Sequence, residues 1–81
     1  MTTREKRPFA AILFGTTHDS LEAEDALKAA NLDVVPIPTP PSPESLCGIA
    51  MRVLPEELDR ARSVLDESGI IVRSVVEIED V

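Results

Sequence analysis

The sequence predicts a small α+β domain in which strands and helices follow one another in the order βαββαβ. Three features support this prediction: short apolar runs of strand length, two longer stretches with apolar residues at helical spacing, and prolines at every second position of one extended segment. With 81 residues, of which 43% are hydrophobic, the chain has enough material for one core. We expect a flexible leader over residues 1–7 and a single domain over residues 8–81.

The first strand and the first helix come at the start of this domain. Phe9–Phe14 is an apolar run between a proline and a glycine, and its shortness favours a strand buried on both faces. We expect the helix to begin near Asp19, because Glu22 follows three residues later as in a capping box. Asn31 is suited to the left-handed backbone position that commonly ends a helix.

The second strand carries prolines at positions 36, 38 and 40. Because the missing N–H groups would then lie on one side, Val34–Pro40 is predicted to be an edge strand. The third strand is predicted over Leu46–Leu54 and should turn every second side chain towards the core. These core-facing residues are predicted to be Cys47, Ile49, Met51 and Val53.

The second helix and the fourth strand complete the predicted order. Pro55 and the acids after it favour a helix start, and Gly69 favours its end. The fourth strand should turn one face to the core, formed by Ile70, Val72, Val76 and Ile78. With the handedness rule for crossovers, this order predicts a ferredoxin-like split βαββαβ sandwich. Its antiparallel four-stranded sheet should have the order 4-1-3-2, with two helices on one face.

Charge and residue types exclude several classes of function. A net charge of -7 opposes binding to a phosphate backbone, so we expect no nucleic-acid partner. The longest apolar run is far shorter than the roughly 20 residues that span a bilayer, so we expect no membrane insertion and a cytoplasmic location. One Cys and one His are too few for a four-ligand zinc site. We therefore expect neither a metal nor a cofactor.

Cys47 is the only thiol of the chain and follows the proline-rich loop. In the predicted topology it lies beside the end of the first strand, where the first helix begins. A helix N-terminus and a nearby imidazolium both stabilise a thiolate. We therefore predict that Cys47 is the reactive residue and that His18 stabilises its thiolate. The predicted substrate-binding residues around them are Gly15, Thr16, Thr17, Thr39, Ser45 and Gly48.

Each of these residues also has a structural interpretation. Free cysteines are often buried and behave as small apolar residues, which would make Cys47 part of the core. Thr16 and Thr17 are suited to capping the helix, and Gly48 could serve close packing against the first strand. The sequence leaves the reactive and the structural interpretation of Cys47 open.

Cys47–Arg52 belongs to a wider pattern that extends from Phe14 to the end of the second helix. The other members of this pattern are Phe14, Thr17, His18, Glu24, Pro38, Pro40 and Ser45. In order and spacing, these residues resemble a small bacterial family of selenium/sulfur carrier-like proteins. The resemblance implies that Cys47 is the carrier residue. The chain departs from the family's pattern at Pro41, where a basic residue is expected.

The single thiol and the resemblance favour a carrier. The Cys47 thiolate would accept a sulfane sulfur or selenium from a donor protein, hold it as a persulfide or selenosulfide, and pass it to an acceptor protein. The alternative is a ligand-binding or regulatory ferredoxin-like module with a structural cysteine. A stand-alone enzyme is the least favoured class, because only His18 offers a base. A homodimer through the uncovered sheet face, with Ala50, Ile71 and Val75 in the interface, is a further prediction.

Overall fold

The computed structural model describes residues 7–39 and 48–80. The four strands form one antiparallel sheet in the order β2-β3-β1-β4, which is the predicted 4-1-3-2 order counted from the other edge. The predicted α+β fold with a ferredoxin-like arrangement is therefore confirmed. The elements are β1 (Arg7–Phe14), α1 (Thr17–Ala29), β2 (Val34–Pro38), β3 (Ile49–Val53), a 3₁₀ turn (Pro55–Glu57), α2 (Leu58–Glu67) and β4 (Val72–Asp80).

The main core lies between the sheet and the two helices. Side chains from all of these layers meet in one buried cluster, because α1 and α2 turn their apolar stripes to the same face of the sheet. The helical members of this cluster include Ala23 and Leu27 from α1 and Ala61 and Leu65 from α2. The strands contribute Ala10, Ile12, Phe14, Val34, Met51 and Val53.

The second face of the sheet carries a smaller apolar cluster made only of strand residues. Ala11, Leu13 and Ala50 are its buried members, and residues of β2 and β4 pack against them. The guanidinium carbon of Arg52 lies 4.3 Å from the centre of the Phe9 ring, a cation–π contact. The first strand is therefore buried on both faces, as its continuous apolar run predicts.

Both helices end in the same hydrogen-bond pattern. Asn31 has a φ of 62° and Gly69 a φ of 74°, and each follows the last helical turn. The N–H of Leu32 donates to the carbonyl of Leu27 at 3.1 Å, the long bond of a Schellman motif. At the end of α2, the N–H of Ile70 donates the equivalent bond to the carbonyl of Leu65 at 2.9 Å. The predicted stops at Asn31 and Gly69 are confirmed.

An arginine links the two helices at the end of α1. Arg60 Nη2 donates to the carbonyl oxygen of Ala30 at 2.9 Å. Ala30 is the C-terminal capping residue of α1, so its carbonyl belongs to the negative end of the helix dipole. The bond fixes the start of α2 against the end of α1.

The prediction for the faces of β4 is wrong in part. The pairing of β1 with β4 shifts between Leu13 and Phe14, where β4 contains one extra residue. Val72 therefore packs on the helix side, whereas Val76 and Ile78 pack on the other face. An uninterrupted alternation would have kept all three side chains on the same face.

The surface predicted for a homodimer is also wrong. Val75 packs against the helix-side core rather than on the uncovered face. Ala50 does lie on the uncovered face, but it is 0% exposed. Ile71 is 77% exposed and precedes β4. These three residues do not form a common exposed patch.

No helix in residues 7–39 and 48–80 is both long enough and apolar enough to cross a membrane.

Candidate functional site at the glycine rim

The end of β1 and the start of β3 lie at one end of the sheet. The β1–β3 pairing ends with Ile12 opposite Met51, and the strands are antiparallel, so Gly15 after β1 lies towards the same end of the sheet as Gly48 before β3. On the other side of β3, the N–H of Thr39 donates to the carbonyl oxygen of Gly48 at 3.2 Å. We call the surface formed by Gly15, Thr16, Thr39 and Gly48 the glycine rim. It holds four of the predicted substrate-binding residues.

Helix α1 starts at the glycine rim, two residues earlier than predicted. Thr16 has an extended backbone, and its Oγ1 accepts a hydrogen bond from the N–H of Asp19 at 3.1 Å. Thr16 is therefore the N-cap, and Asp19 is the acidic residue of the first turn. The capping-box spacing from Asp19 to Glu22 suggested a later start, but the spacing from Thr16 to Asp19 is the one that the helix uses.

Thr17 occupies the first position of α1, and its carbonyl oxygen accepts a bond from Ser20 Oγ at 2.9 Å. The Ser20 side chain is buried under the first turn. The hydroxyl of Thr16 is engaged in capping, which confirms the structural interpretation of that residue. Thr16 and Thr17 are nonetheless exposed at the start of α1.

His18 lies on the outer surface of the first turn. Its side chain is 79% exposed, and Nε2 lies 2.7 Å from Oε1 of Glu22. The residues are four apart, so they meet on one face of the helix. The imidazole is therefore positioned by Glu22, a partner that the sequence analysis assigned to a capping box. The spacing of four residues was the signal that could have identified this pair.

The two glycines leave open space at the rim. A Cβ atom added to Gly15 or Gly48 would meet no heavy atom of the described residues within 4 Å, apart from the residue itself and its chain neighbours. Gly48 is exposed and Gly15 is partly exposed. The interpretation of Gly48 as a residue required for close packing is therefore wrong.

Two of the predicted site residues, Cys47 and Ser45, lie outside the described residues. The structure therefore brings together Gly15, Thr16, Thr39 and Gly48 but does not describe Cys47, the residue that is predicted to be reactive. Across residues 7–39 and 48–80, no group of three or more His, Cys, Asp and Glu side chains is placed to hold a metal ion.

Two surface depressions lie away from the glycine rim. One, of about 490 Å³, includes Phe9, Leu58 and Val75 and lies at the opposite end of β1. The other, of about 600 Å³, includes Arg62, Asp66 and Ile71 at the end of α2. Neither is lined by a described residue of the predicted site.

A family model described as "Putative Se/S carrier protein-like" matches residues 10–77 of the chain. The matched range contains β1 from Ala10 onwards, both helices, β2, β3 and most of β4. The matched range includes all four residues of the glycine rim and Cys47. No curated protein and no solved structure matches the sequence at a significant level.

Proposed function

Because the chain belongs to the selenium/sulfur carrier-like family, we propose that it carries one sulfur or selenium atom on Cys47 between a donor protein and an acceptor protein. The observation that carries this proposal is the family match over residues 10–77 in a chain whose only thiol lies within that range. A single sulfur is sufficient for such a carrier, since the donor and the acceptor supply the other reacting groups.

The proposed transfer is an exchange at a sulfane sulfur. The Cys47 thiolate attacks the outer sulfur of a donor persulfide, a Cys47–sulfur bond forms, and the donor's sulfur–sulfur bond breaks. The donor leaves as a thiolate, so no external oxidant is needed. An acceptor thiolate then attacks the outer sulfur and releases the Cys47 thiolate. Selenium would move in the same way from a donor selenosulfide, with a sulfur–selenium bond formed and broken.

The position of Gly48 supports a reactive site at the rim. Gly48 is hydrogen-bonded to Thr39 and exposed. Cys47 is bonded directly to Gly48 in the sequence. A transfer between proteins requires such an accessible position, because two large partners must approach the same sulfur in turn.

The start of α1 supports the thiolate form of Cys47. The first N–H groups of a helix and its dipole favour a negative charge, and α1 begins two residues after Gly15. In the proposal, His18 contributes a further positive charge when its ring is protonated, and its contact with Glu22 moderates that effect. Gly15, Thr16, Thr17, Thr39, Ser45 and Gly48 are proposed to contact the transferred atom or its donor.

The proposal places the exchange in the cytoplasm, where thiols are kept reduced.

Intact-mass measurement of the protein purified without reductant from its native host tests the function. We expect an added mass of one sulfur or selenium atom that a reducing thiol removes. The matched control is Cys47→Ser, which should carry no such mass. Wild-type protein found wholly unmodified under these conditions, from cells with an active sulfur supply, would contradict the carrier function and favour the binding-module alternative.

A further inference from the structure

The two edges of the sheet differ in their capacity to accept another strand. At one edge, β2 has Pro36 and Pro38, which lack N–H donors. At the other edge lies β4, which contains no proline over Val72–Asp80 and pairs only with β1 among the described residues. The direction of the backbone groups in these two edge strands follows from the hydrogen bond between Thr39 and Gly48 and from the strand register.

The bond from Thr39 to Gly48 shows that Gly48 directs its backbone groups towards β2. Bonded and non-bonded pairs alternate along an antiparallel ladder. The next pair, Pro38 with Ile49, is therefore non-bonded, and so is Pro36 with Met51. Both prolines consequently turn their missing N–H positions to the outer edge, which explains how β2 tolerates them.

The same alternation can be followed through β3 and β1 to β4. Since Gly48 points to β2, Met51 points to β1 and forms a bonded pair with Ile12. The neighbouring residue Ala11 then points to β4 and forms a bonded pair with Val76. Residues on either side of Val76 must point the other way.

The backbone groups of Val75, Glu77 and Glu79 are therefore directed to the outer edge of β4. None of these three is a proline, so each can supply both an N–H and a carbonyl to a further strand. The outer edge of β2 lacks N–H donors at Pro36 and Pro38. The outer edge of β4 has an N–H donor at each of these three residues.

We propose that this edge of β4 pairs with β4 of a second copy of the chain, in an antiparallel arrangement about a two-fold axis at Val76. Two neighbouring positions of the axis are less favourable. An axis at Glu77 would place two glutamates directly opposite each other, which is destabilising. An axis at Val75 would bring Arg73, the extra residue of the β4 bulge, into the pairing two steps from the axis.

An axis at Val76 places no two glutamates opposite each other, keeps Arg73 three steps from the axis, and makes the charges complementary. Arg73 of each copy then lies opposite Glu79 of the other, so that the interface contains two pairs of opposite charge. Both residues are exposed in the single chain. Val75 and Glu77 would form the bonded pairs, each exchanging N–H and carbonyl groups with the other copy. The two Val76 side chains would meet on the face of the smaller apolar cluster.

Sedimentation equilibrium of the full chain, at physiological salt so that the net charge of -7 per chain is screened, tests this pairing. We expect a concentration-dependent dimer. Glu77→Pro should give a monomer, because it removes an outward N–H without removing a bond between β1 and β4. Glu77→Ala is the matched control: it loses the same charge but keeps the N–H, and should still form the dimer. Circular dichroism checks that both variants are folded.

Charge reversal gives an independent test that does not depend on proline. Arg73→Glu should weaken the dimer by about tenfold, and the double variant Arg73→Glu with Glu79→Arg should restore it. A wild-type protein that stays monomeric at its highest soluble concentration would overturn the proposal. A dimer that survives Glu77→Pro would overturn this interface. If Glu77→Arg restores the dimer of the Arg73→Glu variant and Glu79→Arg does not, the axis at Val76 is wrong.

Discussion

The backbone N–H of Thr39 and the carbonyl oxygen of Gly48 are joined by a hydrogen bond of 3.2 Å. This bond continues the β2–β3 ladder by one step beyond the paired residues Pro38 and Ile49. It holds Gly48, the neighbour of Cys47 in the sequence, at the same end of the sheet as the start of α1. Thr39 lies between two prolines in the sequence, and its N–H points inward, towards Gly48.

Thr39→Pro should therefore destabilise the rim, whereas Pro38, whose missing N–H faces the outer edge of β2, does not. We expect the free energy of unfolding to fall by at least about 1 kcal/mol, since the variant removes the donor to Gly48. Thr39→Ala is the control, because it keeps the N–H and shortens only the side chain. Urea denaturation followed by circular dichroism compares the two. Equal midpoints for Thr39→Pro and Thr39→Ala would show that the bond to Gly48 does not contribute to stability.

Thr16→Ala should weaken the start of α1. Loss of the bond from the Asp19 N–H to Thr16 Oγ1 is expected to cost about 1 kcal/mol of unfolding free energy. Thr16→Ser should retain most of the stability, because its hydroxyl can accept the same bond. Thermal unfolding of the three proteins measures the difference. If Thr16→Ala and Thr16→Ser unfold together, the hydroxyl has no capping role.

Arg60→Ala should destabilise the contact between the helices. The variant loses the hydrogen bond to the Ala30 carbonyl and a positive charge at the C-terminus of α1. We expect a cost of about 1 kcal/mol, reduced from that of a buried charged bond because the pair is exposed. Arg62→Ala, an exposed arginine on the same helix, is the matched control for the loss of charge. A cost for Arg62→Ala as large as for Arg60→Ala would contradict a specific role for the bond.

His18 and Glu22 should have opposite effects on the reactivity of Cys47. Alkylation by a small iodoacetamide-type reagent is expected to show a pH midpoint below that of a free thiol, which is about 8.5. His18→Ala removes an imidazole that favours the thiolate when its ring is protonated, and should raise the midpoint. Glu22→Gln removes the neighbouring negative charge and should lower it. Midpoints near 8.5 in all three proteins would mean an ordinary thiol that neither residue influences.

The sheet order could be predicted from the sequence because two independent patterns agreed. Prolines 36 and 38 placed β2 at an edge, and the continuous apolar run Phe9–Phe14 placed β1 inside the sheet. The start of α1 was less determined, since both Thr16 and Asp19 stand three residues before an acid. The structure selects Thr16, whose extended backbone directs its hydroxyl to the Asp19 N–H.

The faces of β4 could not be read from its sequence. The extra residue opposite the end of β1 reverses the alternation between Val72 and Val76, and nothing in the residues of β4 marks its position. The site was predictable to the extent that strand order determines it: the sheet brings Gly15, Thr39 and Gly48 to one rim. The contact between His18 and Glu22 requires both residues to lie in α1. Because the helix was predicted to begin near Asp19, this contact was not predicted.

Transfer of sulfur through Cys47 tests the carrier function most directly. The protein is first treated with a low-molecular-weight persulfide, freed of excess reagent, and then mixed with an acceptor thiol, with intact mass measured after each step. We predict that wild-type protein gains one sulfur and loses it to the acceptor. Cys47→Ser should gain none while unfolding at nearly the wild-type temperature. A wild-type protein that takes up no sulfur, or a Cys47→Ser protein that takes it up and transfers it equally well, would contradict the account.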